Sequence, residues 1–295
     1  MTKPLVSVCT LTYNQKDYIK QTVESLLMQE TSFEYEVVIS DDGSTDGTVE
    51  IIEDIIKNHE NGHRIRLLAH ANMGVLPNYI YTFPQCQGKY IAFCEGDDYW
   101  TDPKKLEIQA RFLEENPDFS ICFHQVDRIL DDKVIGPAPK ENVEAVYTLS
   151  DLSKGSMMYT PSVMMRAEHM NLPDWYVESP LFDYPLQMMV ARKGKIKYLP
   201  INMADYRVGT GIWTTDNGTA QMKKLEKLMS LLQREFAGYD EVYETLTRRK
   251  NEYTFVIIEH EFYIRLYNQT IDFSKISFST TLKLVVNKLK SKLLK

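Results

Sequence analysis

Along the first 130 residues, short runs of almost wholly apolar side chains alternate with longer stretches where apolar positions recur every three or four residues. "LVSVCTL" (5–11) is apolar and β-branched, and the turn residues Thr12 to Asn14 follow it. Between Lys16 and Gln29, Ile19, Val23, Leu26 and Leu27 fall at i, i+4, i+7 and i+8, the spacing of one helical face. "YEVVIS" (35–40) predicts a second buried strand; it ends on "DDGSTDG", whose capping residues lead into a helix carrying Val49, Ile52 and Ile56. "IRLLA" (65–69), "YIAFC" (90–94) and "FSICFHQV" (119–126) predict three further strands, and Pro103 stands near the start of a helix ending near Glu115. Strands without polar alternation are covered on both faces, so the pattern predicts an α/β fold with a mostly parallel sheet flanked by helices.

In such sheets ligands bind beyond the carboxyl ends of the strands. Asp41 and Asp42 follow the second strand and Asp97 and Asp98 the fourth, so both pairs are expected on one edge, in a shared acidic crevice. Residues 131–215 read as irregular, with Pro, Gly and aromatic residues scattered among short apolar runs. From about Thr219 the pattern is helical through "AQMKKLEKLMSLLQREF" and "DEVYETLTRRKNEYTFVIIEHEFYIRLYN". In the tail "TLKLVVNKLKSKLLK", Leu282, Val286, Leu289 and Leu293 share one helical face beside Lys283, Lys288, Lys290, Lys292 and Lys295. That pattern fits a helix packed on the domain and equally one lying as a peripheral contact on an anionic membrane surface.

A length of 295 residues with 43% hydrophobic side chains allows a large domain with a smaller appendage. The net charge of -7 provides no basic field, which argues against a general nucleic-acid binder. Cys9, Cys86, Cys94 and Cys122 lack paired metal spacing and read as reduced thiols of a cytoplasmic protein. No run has signal-peptide form or reaches about 18 apolar residues, so a soluble or peripheral chain is expected. "EHEFYI" has Ile264 where a zinc-protease motif needs its second His.

"TLTYNQKDY" after the first strand contains neither G-x-G-x-x-G nor a P-loop. Without such a loop, a bound diphosphate needs positive charge from elsewhere. Mg²⁺ or Mn²⁺ held by Asp98 supplies it, because hard cations take oxygen ligands and bridge phosphates. Adjacent carboxylates tolerate each other once a cation stands between them and the ligand; an exposed acidic turn is the alternative. Asp42 can accept a hydrogen bond from a base N–H or a ribose hydroxyl, while helix capping fits Asp46 better. Tyr13 can lie against a base or simply pack.

"VSVCTLTYNQKDYIKQTVESLLMQ", "YEVVISDDGSTDGT", "NMGVLPNY" and "GKYIAFCEGDDYWTDPKKLEIQ", in that order, resemble the successive signatures of family 2 glycosyltransferases with the GT-A fold. The resemblance is dense over residues 4–130 and thins towards 215. It implies a GT-A domain over 1–215 with a helical region over 216–295. It also implies transfer of a sugar from a nucleoside diphosphate sugar, with UDP the expected nucleotide, to a glycan or lipid-linked acceptor hydroxyl, with inversion. Carried onto this chain, Leu11, Tyr13 and Asp42 hold the nucleobase, and Asn72, Gly74 and Asn78 line the nucleotide side. Asp97 meets the ribose or donor sugar, Asp98 the metal, and Trp100 stands near the acceptor entrance. The base is an acid in a later segment, Asp183 before Glu178. An apolar neighbourhood raises the pKa of Asp183 and suits it to accept a hydroxyl proton, though a helix N-cap is its other reading. Tyr206 and Arg207 match a Tyr-Arg loop in which Arg207 offsets phosphate charge, but Gly209 stands where many members carry His. The resemblance is also compatible with a catalytically silent nucleotide-sugar-binding relative acting as an assembly subunit. A sugar-nucleotide pyrophosphorylase is disfavoured by the missing Gly-rich loop.

Overall fold

The computed structural model describes residues 3–210 and 218–267, and the chain divides into two compact units, Met1–Thr214 and Thr215–Lys295. The first unit is a single mixed sheet of ten strands flanked by helices. Its strands are β1 (Val6–Thr12), β2 (Tyr35–Asp41), β3 (Ile65–Ala69), β4 (Tyr90–Phe93), β5 (Tyr99–Trp100), β6 (Phe119–Leu130), β7 (Lys133–Ala138), β8 (Ala145–Tyr147), β9 (Met164–Arg166) and β10 (Lys195–Arg207). They lie in the order β3-β2-β1-β4-β9-β6-β10-β5, with β7 paired to β6 and β8 to β10. The first four are parallel, as are β6 and β10; β9 joins β4 to β6 antiparallel, and β5 closes antiparallel on β10.

The fully apolar strands sit at the centre, as their composition requires. β1 is buried along its whole length between β2 and β4. Helix α1 (Ile19–Leu27) covers it with Ile19, Val23, Leu26 and Leu27, all fully buried against Val6 and Val8. α1 begins three residues later than its periodicity suggests, because the chain from Gln15 to Tyr18 makes a turn closed by Tyr18 N–H on the Gln15 carbonyl (2.9 Å). α2 (Thr48–Asn58), α3 (Val75–Thr82), α4 (Lys105–Glu115), α5 (Leu149–Ser153) and α6 (Asp183–Ala191) complete the unit.

Residues 131–210, the described part of the stretch expected to be irregular, are not irregular. They supply four strands, and β6 itself runs on to Leu130. β8 and β9 have three residues each, too few for alternation to register. β10 is long but shifts register between Leu199 and Asn202 and again between Asn202 and Asp205, which breaks its pattern.

In the second unit, α7 (Gly218–Glu235) and α8 (Asp240–Tyr267) run antiparallel. Lys223 pairs with Glu261 at 2.8 Å near one end, and Gln233 donates to the Thr247 hydroxyl at 2.7 Å near the other. The basic tail lies outside the described residues. Among the described residues, no helix is long and apolar enough to cross a membrane.

One charged group is sealed inside the sheet's helical cover. Lys105 is fully buried, its ammonium 4.1 Å from the Trp100 ring centroid and donating to Gln109 Oε1 at 2.7 Å. Gln109 in turn donates to the carbonyls of Cys122 (2.8 Å) and Ser162 (2.9 Å), joining α4 to β6 and the turn before β9. Burial, before any other influence, lowers Lys105 from 10.5 to about 7. Between those values the unfolded chain holds a proton that the folded chain does not, so stability rises with pH across that window and is lost as pH falls towards 7. Lys105→Met cannot titrate. The stability of the native chain relative to this variant is therefore expected to rise from pH ~6.5 to pH ~9 in thermal unfolding, and a pH-independent difference contradicts it.

Candidate active site

The parallel register pairs Thr12 with Asp41 and Cys9 with Phe93, so β1, β2 and β4 end on the same edge. Three segments meet there: 12–15, 41–46 and 94–98. Asn14 adopts a positive φ of 51° and its side chain accepts from Thr45 N–H (2.8 Å), while its own N–H donates to Ser44 Oγ (2.8 Å), locking the first two segments together.

The first acid pair is largely structural. Asp41 accepts from the N–H groups of Gly43 (3.1 Å) and Ser44 (2.8 Å) and from the Ser44 hydroxyl (2.5 Å), so it makes its own turn. Asp42 is buried and accepts from Met73 N–H (2.8 Å) and Gly74 N–H (2.9 Å), tying the loop before α3 to the end of β2. Each oxygen keeps a second lone pair for a ligand. Leu11 is buried beneath this edge, whereas Tyr13 is 47% exposed above it and Asn72 is also exposed. Gly74 caps α3 with φ 89°, a conformation that favours glycine. Asn78 does not line the surface. It is 1% exposed and its amide oxygen accepts from Ser40 Oγ (2.6 Å), so it supports the floor from below.

The second acid pair is part of a larger group. Glu95, Asp97 and Asp98 have carboxylate oxygens within 4.8 Å of one another. Asp98 is 1% exposed; its Oδ1 accepts from Arg207 N–H at 2.8 Å, while its Oδ2 is buried with no hydrogen-bond partner. Burial first, then the charges of Asp97 and Glu95, push the Asp98 carboxyl well above its usual range. Glu95 rises to about 7, by burial and then by the Asp97 charge, although the Tyr79 hydroxyl donates to it at 2.7 Å. A buried, unpartnered carboxylate oxygen beside two further acids is a donor set that fits a hard divalent cation.

Asp183 is the first residue of α6, half-buried, with its carboxyl raised by burial against the opposing hydrogen bonds of its local backbone. It accepts no capping role; the residue at the cap is Phe182, whose side chain makes no cap bond. Phe182 stacks on Tyr79 with centroids 3.4 Å apart and planes 3° from parallel, and Tyr79 is the residue that holds Glu95. The Asp183 charge accordingly contributes to the raised pKa values of Glu95 and Tyr79. Glu178 is exposed at the end of a short 3-10 turn.

Trp100 is not at an entrance. It is 1% exposed, its indole N–H donates to the Pro161 carbonyl at 3.0 Å, and one ring face is covered by Lys105. Strand β5 alternates, and pairing with β10 turns Trp100 into the core while Tyr99 stays half-exposed. Arg207 is the last residue of β10, not a loop residue, and Gly209 follows with φ 96°.

Sequence reasoning passed over Glu95, Tyr79 and one whole face of α1. Thr22 Oγ1 lies 2.7 Å from the Asp98 carbonyl and 2.9 Å from that of Gly96. Ser25 Oγ accepts from Trp100 N–H (3.0 Å), and Gln29 bonds both the Asp102 carbonyl (2.8 Å) and Leu106 N–H (3.0 Å). Polar residues at i, i+3 and i+7 beside an apolar face were the available signal.

The family profile described as "Glycosyl transferase family 2" matches residues 7–170. An uncharacterized protein of Mycobacterium tuberculosis is 34% identical over 221 residues, which cover 70% of this chain and 60% of that protein. The chain thus spans about 60% of the length of that relative. The Escherichia coli UDP-Glc:alpha-D-GlcNAc-diphosphoundecaprenol beta-1,3-glucosyltransferase WfaP is 30% identical over 211 residues, 70% of this chain and 78% of WfaP. Among solved structures, the mannosyltransferase PcManGT of Pyrobaculum calidifontis, in complex with GDP-Man and Mn²⁺, superposes with a TM-score of 0.63 at 13% identity, covering 99% of this chain and 81% of that one.

The backbone between the acids leaves no room for a side chain. A Cβ on Gly96 would stand 2.3 Å from Gln15 Oε1 and 2.8 Å from Thr12 Oγ1, and Gly96 N–H is bonded to the Leu11 carbonyl (2.9 Å). Gln15 can swing away, but Thr12 is fixed on β1. Gly96→Ala is expected to cost about 1–3 kcal/mol in urea unfolding through this overpacking. An unchanged midpoint contradicts the close approach.

Proposed function

Because this chain belongs to glycosyl transferase family 2, we propose that it is an inverting glycosyltransferase that moves a sugar from a UDP-sugar to an acceptor hydroxyl by direct displacement. The acceptor class is a growing glycan, most simply one carried on a lipid diphosphate like the acceptor in the name of WfaP. The single observation that carries the reading is the convergence of two chemically distinct acids. Asp98 has one buried oxygen without a partner, and Asp183, on another element, directly follows Phe182, whose ring stacks on the Tyr79 that donates to Glu95.

In this reading Tyr13 and Leu11 contact the base, Asp42 accepts a hydrogen bond from it, and Asn72 and Gly74 lie along the nucleotide. Asp97 accepts from a ribose or donor-sugar hydroxyl. Mg²⁺ or Mn²⁺ would be held by Asp98, with Asp97 and Glu95 beside it, and would neutralise charge developing on the departing diphosphate. Asp183 accepts the proton of the attacking hydroxyl at a carboxylate oxygen. Burial raises its pKa, which strengthens the carboxylate as a proton acceptor. The deprotonated oxygen attacks the anomeric carbon on the face opposite the leaving group, forming the new C–O bond as the bond to the diphosphate breaks, which gives inversion in one step with no covalent intermediate. Glu178, exposed at the end of its turn, is the second candidate for the base.

The test is a thermal-shift series with UDP, GDP and dTDP, each with and without Mn²⁺, followed by release of nucleotide from the matching sugar donors in the presence of a lipid-diphosphate-linked sugar. Asp98→Ala should lose the metal-dependent part of the nucleotide stabilisation. Asp183→Asn should keep it while transfer falls by at least about 100-fold. Metal-dependent stabilisation that survives Asp98→Ala, or transfer that survives Asp183→Asn, overturns the corresponding assignment.

A further inference from the structure

Arg207 is usually expected of a site like this one as a cation facing the phosphates, but its surroundings give it another task. The guanidinium carbon lies 4.8 Å from the Tyr18 ring centroid and 4.7 Å from that of Tyr99, so aromatic rings hold the planar group. Nη1 donates to the Asp97 carbonyl, and Nη2 donates to Gln21 Oε1 at 2.5 Å. The backbone N–H of the same residue donates to Asp98 Oδ1 at 2.8 Å. One residue therefore grips both acids of the turn, Asp97 through its main chain and Asp98 through its carboxylate, and braces them against the residues flanking and opening α1. The pairing of Asp205 with Tyr99 and Ala204 with Trp100 continues the same contact along β10.

The consequence falls on a single atom. With Oδ1 accepting from the Arg207 main-chain N–H and the Asp98 carbonyl held 2.7 Å from Thr22 Oγ1, the residue is fixed in one orientation that leaves Oδ2 without a partner. We propose that Arg207 is a positioning residue: it latches the acid turn so that Asp98 Oδ2 is presented to the cation, and it is not a ligand of the leaving diphosphate. This rests on the function proposed above for Asp98. A lysine cannot substitute, because a point charge neither stacks as a plane between two rings nor offers two donors in a fixed fork.

Arg207→Ala and Arg207→Lys, made in the full chain, separate the two roles by three measurements. The first is Mn²⁺ binding without nucleotide, read from the electron paramagnetic resonance signal of the free ion. The second is UDP binding in EDTA, and the third is hydrogen exchange over residues 95–100. The latch predicts Mn²⁺ binding weaker by about tenfold or more in both variants, as for other groups that orient a metal ligand. It also predicts faster exchange in the turn and unchanged UDP binding in EDTA. Gln21→Ala, which removes one partner only, should move Mn²⁺ affinity and exchange in the same direction by less. Weaker UDP binding in EDTA with restoration by Lys would make Arg207 a phosphate ligand and overturn the proposal, as would unchanged exchange in the Ala variant. Asp98→Ala serves as the reference. If it leaves Mn²⁺ affinity intact, the metal assignment fails, and the exchange data still decide whether the turn is latched.

Discussion

Gathering Glu95, Asp97 and Asp98 within 4.8 Å of one another places like charges where water screens them poorly. At about 4 Å and an effective dielectric near 20, each such repulsion is worth about 4 kcal/mol, several times the net gain from an ordinary hydrogen bond of about 1 kcal/mol. Hydrogen bonds alone therefore do not settle this turn. Either a proton or a cation must enter, and the rise of Glu95 to about 7 is the proton's answer when no cation is bound.

The neighbours of these acids define how the fold serves the site. α1 has two buried faces: Ile19, Val23, Leu26 and Leu27 anchor it to the sheet, and Thr22 and Ser25, with Gln29 just past its end, reach the segment from Gly96 to Leu106. From the other side, register shifts in β10 carry its last residue to Asp98. Tyr79 spans from α3 to Glu95, and the Phe182 ring stacked upon it leads directly into Asp183. The acid turn and the start of α6 are thus connected through direct aromatic packing.

The sheet was legible in the sequence wherever strands were long and wholly apolar, because burial on both faces leaves a continuous run. It was illegible in β8 and β9, which are too short, and in β10, whose bulges break alternation. The acids Asp97 and Asp98 were visible as an unusual pair after a buried strand. Trp100 was misplaced because its partners, Pro161 and Lys105, are set by tertiary packing; proximity in sequence to Asp98 says nothing about which way its side chain turns. Asn78 and Asp41 were similar cases, polar residues near the edge whose hydrogen-bonding capacity is spent within the protein. Asp183 was reached through the family resemblance, with its apolar sequence neighbours arguing only for a raised pKa, whereas Glu95, two residues before Asp97, went unremarked because a glycine separated it from the pair.

The central claim is that one oxygen of Asp98 is kept free for a cation by everything around it. Anomalous diffraction at the manganese edge, from crystals of the full chain with Mn²⁺ and UDP, tests it most directly. The account predicts a single strong peak about 2.1 Å from Asp98 Oδ2, with Oδ1 still on Arg207 N–H. A peak bound elsewhere, or a nucleotide seated with Asp98 Oδ2 still unliganded, would contradict it.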